Sequence, residues 1–193
     1  MEPIVYFTWH TSGYEEVGLR LEESLRKLGI FLLRLRAQKE LGWQQNLLQR
    51  TQLFWDLSEL NDMERRFVWI DADCEVLNYP SVFETITEDF AARKYTDKRN
   101  VKNNRLYSAG VMFFRINERT RKFFKEWYKL HKFNLENPIA DDAEMSLKTV
   151  INMKYVSVFD LPPEYYASVR CQTDFSKSIV KINESGHLHH YMQ

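Results

Sequence analysis

The sequence predicts one α/β domain built on a parallel sheet. Short apolar runs of strand length alternate with longer segments whose apolar residues recur every three or four positions. The connections between the first three runs are long enough to be helical crossovers, which make neighbouring strands parallel and right-handed in connection. The length, 193 residues, fits a single domain.

The elements follow in order. Residues 4–7 (Ile4, Val5, Tyr6, Phe7) form a short apolar strand ending at a polar turn over 8–13. Tyr14, Val17, Leu21, Leu25 and Leu28 mark one face of a helix, and Gly29 stands where a C-cap glycine belongs. Residues 30–35 read as a second buried strand. Gly42 and Trp43 open a helix continuing through Leu47, Thr51, Phe54 and Leu57, and residues 67–70 form a third strand. The stretch 90–105 is polar and basic, whereas 106–116 is an apolar strand interrupted by Ser108, Ala109 and Gly110. Helices are expected over 119–133, with Phe123, Phe124 and Trp127 turned to the core, and over 141–151. A last strand covers 155–161 and stops at Pro162 and Pro163.

Composition narrows the function classes. Twenty-seven Lys plus Arg balance 27 Asp plus Glu, which excludes a general nucleic-acid binder or a polybasic membrane-surface protein. No apolar run approaches the ~18 residues of a spanning helix and no targeting segment is visible, so a soluble, cytoplasmic protein is expected. Cys74 and Cys171 are the two cysteines, too few for a disulfide framework and suited to a reducing compartment. Beneath the neutral total, residues 93–105 hold six basic side chains (Arg93, Lys94, Lys98, Arg99, Lys102, Arg105) against Asp97. They form either a solvated loop or a basic loop facing anionic groups.

The most informative residues are Trp69, Ile70, Asp71, Ala72, Asp73 and Cys74. An apolar strand that runs into Asp-x-Asp places two carboxylates at its carboxyl end, where open α/β sheets bind ligands. In extended chain, residues two apart project to one side, so Asp71 and Asp73 are expected to face one ligand. Paired carboxylates repel unless a cation or proton intervenes, and hard oxygen ligands suit Mn²⁺ or Mg²⁺. The plainer reading makes Asp71 a turn residue and Asp73 a solvated one.

At this motif the chain resembles the glycosyltransferases of the GT-A fold, in particular small bacterial and viral enzymes that use nucleotide-diphosphate sugars. The resemblance rests on Tyr6-Phe7-Thr8; on Ser24 to Gly29 at the first helix end; and on Trp43, Asn46 and Arg50, similar to Trp-x-x-Asn-x-x-x-Lys with Arg for Lys. It continues through Val68 to Asp73, Tyr79-Pro80, Tyr107 to Arg115, and Leu161 to Tyr165. It implies one GT-A domain over 1–193, a Rossmann-like and mostly parallel sheet flanked by helices, and a hexosyltransferase-type activity. Asp73 would chelate the metal and Asp71 would contact metal, ribose or both. A C-terminal histidine would complete the site, with His190 before Tyr191 the best match and His187 and His189 the other candidates. The donor would be a UDP-sugar by preference, or a GDP-sugar, and the acceptor a glycan or other hydroxyl. The resemblance favours retention of anomeric configuration.

Other candidates have two readings each. Asp141 and Asp142 open a helix with Glu144 close behind, which fits an N-cap with a capping-box partner; the resemblance instead turns one of the pair to donor sugar or acceptor. Inversion would need a carboxylate base, with Asp142 or Glu144 available. Ser108, Ala109 and Gly110 call for close approach of something to the backbone, either the donor sugar or a packed neighbour. Trp43 and Asn46 flank the nucleotide or pack the helix start. Thr8, Trp9 and Tyr14 lie where a base would stack, though Tyr14 also fits the buried stripe of its helix. Arg50 would add positive charge near the diphosphate. Cys74, beside two anions, is a poor nucleophile and is read as structural. Two rivals stand beside the transferase. One is a haloacid-dehalogenase-type phosphohydrolase, whose Asp-x-Asp pattern Cys74 and Glu75 break. The other is a non-catalytic nucleotide-sugar-binding domain.

Overall fold

Successive side chains of a strand leave opposite faces of its sheet, and here both faces are apolar, so the sheet must lie between two covering layers. The computed structural model describes residues 3–37, 41–60, 65–96, 106–137, 143–166 and 178–182. The strands β1 (Ile4–His10), β2 (Leu32–Arg36), β3 (Arg66–Ile70), β4 (Cys74–Val76), β5 (Phe90–Lys94), β6 (Tyr107–Arg115), β7 (Val158–Leu161) and β8 (Val180–Ile182) make two sheets. The central one has six strands in the order β2-β1-β3-β6-β5-β7, and β4 pairs with β8 in a separate ribbon. β1 is parallel to β2 and β3, and β5 to β7; β6 is antiparallel to β3 and β5. The sheet is thus mostly parallel, with β6 alone reversed.

Among the described residues five α-helices cover it: α1 (Glu15–Lys27), α2 (Trp43–Leu60), α3 (Val82–Thr85), α4 (Glu118–Glu136) and α5 (Ala143–Asn152). Phe7, Phe67, Trp69, Met112 and Phe114 pack against Phe54 of α2, Phe123, Phe124 and Trp127 of α4, and Leu147 of α5. Tyr6, Val68, Ile70, Val111 and Phe113 turn the other way, onto Leu21 and Leu25 of α1, Phe83 of α3 and Val76 of the ribbon. The first layer is an aromatic lattice. Phe54 meets Trp69 edge-on at 5.1 Å between centroids, and Phe114 meets Phe124 at 4.8 Å.

Several expectations hold in detail. Gly29 takes φ 74° after α1. Its N–H donates to the Arg26 carbonyl and that of Ile30 to the Leu25 carbonyl, the paired bonds of a Schellman stop. Others need correction. Thr8, Trp9 and His10 are strand, not turn, because the ladder to β2 runs on through Thr8↔Arg34 to His10↔Arg36. Residues 90–94 are strand β5, not basic loop; Phe90, Ala91 and Ala92 are fully buried. Three apolar residues followed by Arg93 and Lys94 carry too short a pattern to announce a strand that β6 and β7 stabilise from both sides.

The end of the sheet remote from the Asp-x-Asp motif is tied by one carboxylate. Asp89, 2% exposed, accepts from the Ser157 N–H (2.9 Å) and hydroxyl (2.8 Å), Asn117 Nδ2 (2.8 Å) and Arg119 Nη2 (2.8 Å). Burial alone would raise this carboxyl, but the bonds from Ser157 and Asn117 and the Arg119 charge outweigh it and hold it below the usual range. The stability it supplies is complete above the ordinary aspartate value of about 3.9 and is lost as pH falls through the lowered one. Asp89→Ala is expected to destabilise the fold by about 3 kcal/mol in chemical denaturation at pH 7. An unchanged midpoint would remove Asp89 as the tie between β5, α4 and β7.

Candidate functional site

The inward stripe of α2 is Leu47, Arg50, Thr51, Phe54 and Ser58, at helical spacing. Arg50 is the residue on that stripe that apolar packing cannot explain, since a buried guanidinium needs a partner. Strand alternation supplies one. Asp71, next on the face of Phe67 and Trp69, points toward α2, and Arg50 Nη1 donates to its Oδ1 at 2.9 Å. The guanidinium also lies over the Trp69 ring, 5.8 Å from its centroid, while its buried Nε has no hydrogen-bond partner among the described residues. Trp69 Nε1 donates to the Ala109 carbonyl (3.0 Å), and the Asp71 N–H to the Gly110 carbonyl (2.8 Å), which carries the β3–β6 ladder one step past Ile70.

After Asp71 the chain turns. The Cys74 N–H donates to the Asp71 carbonyl at 3.0 Å, closing a four-residue turn. The expectation of extended chain at Asp71 to Asp73 is therefore corrected, and it is the turn that brings both carboxylates to one cleft. Trp9, His10, Thr11, Tyr14, Trp43, Asn46, Leu47, Arg50, Trp69 and Ala72 complete its lining. The cleft opens at the carboxyl ends of β1 and β3, the edge where sheets of this kind hold ligands.

Burial raises both carboxyls above the ordinary range; Arg50 opposes this for both, and the Asp73 charge adds to it for Asp71. A quarter of the Asp71 side chain is exposed, so water moderates the shift. Tyr14 is raised by burial and then by Asp73 and Asp71, which places its hydroxyl in their field. Cys74, wholly buried, is pushed well up by desolvation and the same two charges. It is an inert thiol under the turn.

The structure brings together Trp9, Tyr14, Trp43, Asn46, Arg50, Asp71 and Asp73. Trp43 is 54% exposed at the rim, while the Asn46 amide is engaged with both backbone groups of Leu41. Thr8 is interior, on the face of Tyr6 beneath α1, and its hydroxyl has no partner among the described residues. Ser108, Ala109 and Gly110 are buried. The Trp69 indole and the Glu144 carboxylate approach their backbone, the latter accepting from the Ala109 N–H at 3.1 Å. Asp141, Asp142, His187, His189 and His190 lie outside the described residues, as do Cys171, Lys98, Arg99, Lys102 and Arg105. His10, Thr11 and Leu47 were not singled out from sequence as site residues, and Trp69 only as part of the motif strand. His10 shares the face of Tyr6 and Thr8, so alternation does not flag it; its place in the last ladder pair of β1 does.

Among the described residues no group of three or more His, Cys, Asp or Glu side chains is placed to hold an ion. Two carboxylates fit Mg²⁺ or Mn²⁺ all the same, because such ions commonly take one or two protein carboxylates and complete their shell with water and substrate phosphate.

No family model and no curated protein matches the chain. Among the solved structures that match is the glycosyltransferase involved in glycosylation of the major capsid of PBCV-1. It has a TM-score of 0.71 and 13% identity over the whole of both chains. The architecture is that of the Rossmann-like glycosyltransferase fold, as the sequence led us to expect.

The raised carboxyls have a consequence for stability without metal. Stability from a neutral pair is complete below about 3.9 and is lost as pH rises through the raised values. Asp73→Asn is expected to stabilise the protein at pH 8 in chelator by on the order of 1 kcal/mol, with the gain fading toward pH 4. Melting temperature against pH measures this, and a lowered melting point at pH 8 would contradict it.

Proposed function

We propose that the protein is a metal-dependent glycosyltransferase that moves a sugar from a nucleotide-diphosphate sugar to an acceptor hydroxyl. The observation that carries the reading is the convergence of Asp71 and Asp73 on one cleft walled by Trp9, Trp43 and Tyr14. The fold shared with the PBCV-1 enzyme supports it.

The chain's own groups divide the work. Trp9 and Trp43 offer aromatic faces to a nucleobase. Asp71 and Asp73 would hold Mn²⁺ or Mg²⁺, with His190 as third ligand; such an ion supplies Lewis-acid neutralisation of charge on the departing diphosphate. Arg50 orients Asp71 and favours its ionised form against burial, and would add a fixed positive charge beside the diphosphate. In the transfer the bond from the anomeric carbon to the diphosphate oxygen breaks, and a bond to the acceptor oxygen forms. The hydroxyl proton leaves with the nucleoside diphosphate. We propose retention, in which the protein chiefly positions the reactants, with Asp141 or Asp142 facing the sugars. A UDP-sugar is the preferred donor, a GDP-sugar the second choice, and a glycan or other hydroxyl compound the acceptor.

A thermal-shift panel of nucleotide sugars, with and without Mn²⁺, tests this. At a hundred times its dissociation constant the correct donor stabilises the fold by about 2.7 kcal/mol, a rise of several degrees for a chain of this size. Asp73→Asn should abolish the Mn²⁺-dependent part. If no UDP- or GDP-sugar gives a metal-dependent shift, the reading fails. Binding without transfer or hydrolysis would favour a non-catalytic sugar-nucleotide module, and cleavage of an aryl phosphate would favour a phosphohydrolase.

A further inference from the structure

The small-residue stretch of β6 poses a bonding problem that one side chain solves. The register between β5 and β6 jumps from Ala92↔Met112 to Lys94↔Tyr107, leaving residues 108–111 without a β5 partner. A buried backbone N–H in such a gap must be satisfied from elsewhere. For Ala109 the acceptor is Glu144 Oε1, at 3.1 Å, and the same oxygen accepts from the Tyr95 hydroxyl at 2.9 Å. Tyr95 follows the last residue of β5, its N–H donating to the Leu106 carbonyl at 2.8 Å. Glu144 therefore joins the first turn of α5 to β6 and to the segment that leaves β5.

From Ala109 the contacts run on to the carboxylate pair. Its carbonyl accepts from Trp69 Nε1 at 3.0 Å, Arg50 lies over the Trp69 ring, and Arg50 Nη1 holds Asp71 Oδ1 at 2.9 Å. The Asp71 N–H returns to the Gly110 carbonyl, the neighbour of Ala109. The circuit is closed, and α5, β6, β3 and α2 each contribute a member.

We propose that Glu144 is a positioning residue for Asp71, acting through the Ala109 backbone, Trp69 and Arg50, rather than a base for the transfer. The proposal rests on the glycosyltransferase reading above. The Ala109 N–H and the Tyr95 hydroxyl bond the same oxygen, Oε1. An amide oxygen in the same place serves as well, whereas a base must be a carboxylate.

Three variants test it: Glu144→Gln, Glu144→Ala and Tyr95→Phe. For each, the Trp69 indole hydrogen-exchange rate is measured by NMR without metal. The Mn²⁺ concentration giving half-maximal thermal stabilisation with UDP-sugar and the pH profile of transfer are measured beside it. Glu144→Gln should stay within about twofold of the parent in all three, with the same pH profile. Glu144→Ala should expose the indole to faster exchange and raise the Mn²⁺ midpoint about tenfold, as lost support behind a metal ligand commonly does. Tyr95→Phe, which removes one donor and leaves the Ala109 bond, should move both readings the same way but less; it reads the circuit even if the alanine variant does not fold. A Glu144→Gln protein that loses transfer a hundredfold with an unchanged Mn²⁺ midpoint would make Glu144 a base and overturn the proposal. Parent-like exchange and midpoint in both Glu144→Ala and Tyr95→Phe would overturn it too. If the parent protein shows no Mn²⁺-dependent response to any nucleotide sugar, the glycosyltransferase reading falls and takes this one with it. A responsive parent with unresponsive variants isolates the failure to Glu144.

Discussion

Everything near the cleft depends on where the positive charge of Arg50 goes. A guanidinium on the inward stripe of a helix is costly unless an anion meets it, and Asp71 is the anion that β3 delivers to that face. The pairing fixes the rotation of α2 about its axis and turns one carboxylate of the Asp-x-Asp motif toward it. Asp73, half-buried, lines the same cleft. The attraction is one-sided, since Arg50 serves two carboxylates and bonds one of them.

The reversed strand β6 gives the arrangement its rigidity. Its ladder to β3 extends to Asp71, and its Ala109 and Gly110 carbonyls accept from the indole and amide of the motif strand. The turn at Asp71 to Cys74 begins where that ladder ends. Cys74 is buried against the α1 layer, so the two carboxylates are presented from a fixed platform rather than from a loop.

Much of this was legible in the residues. Gly29 announced the end of α1 because only a residue at ease with positive φ ends a helix in that way. The carboxylate pair was visible because an apolar strand preceded it. β5 was hidden: three buried residues running into Arg93 and Lys94 carry no period, and its strand character comes from neighbours distant in sequence. The role of Arg50 was half legible, as a charge near phosphate, but not as the partner of Asp71, because a contact spanning 21 residues leaves no local pattern. Glu144 was read through its proximity to Asp141 as a capping partner, or as a base available for inversion. Its bond to Ala109 depends on a gap in a ladder that only the assembled sheet possesses.

The distribution of indoles has an optical consequence. Of five tryptophans, Trp9, Trp43 and Trp69 line the cleft; Trp127 is sealed in the aromatic lattice and Trp55 lies against Tyr128. Trp43 stands in water at the rim, and Trp69 has a cation over its ring. The ultraviolet emission of the chain is thus weighted toward the cleft. A bound purine or pyrimidine, or a paramagnetic ion beside Asp71, would quench it without any added label, and the sealed Trp127 would provide the constant background against which the change is read.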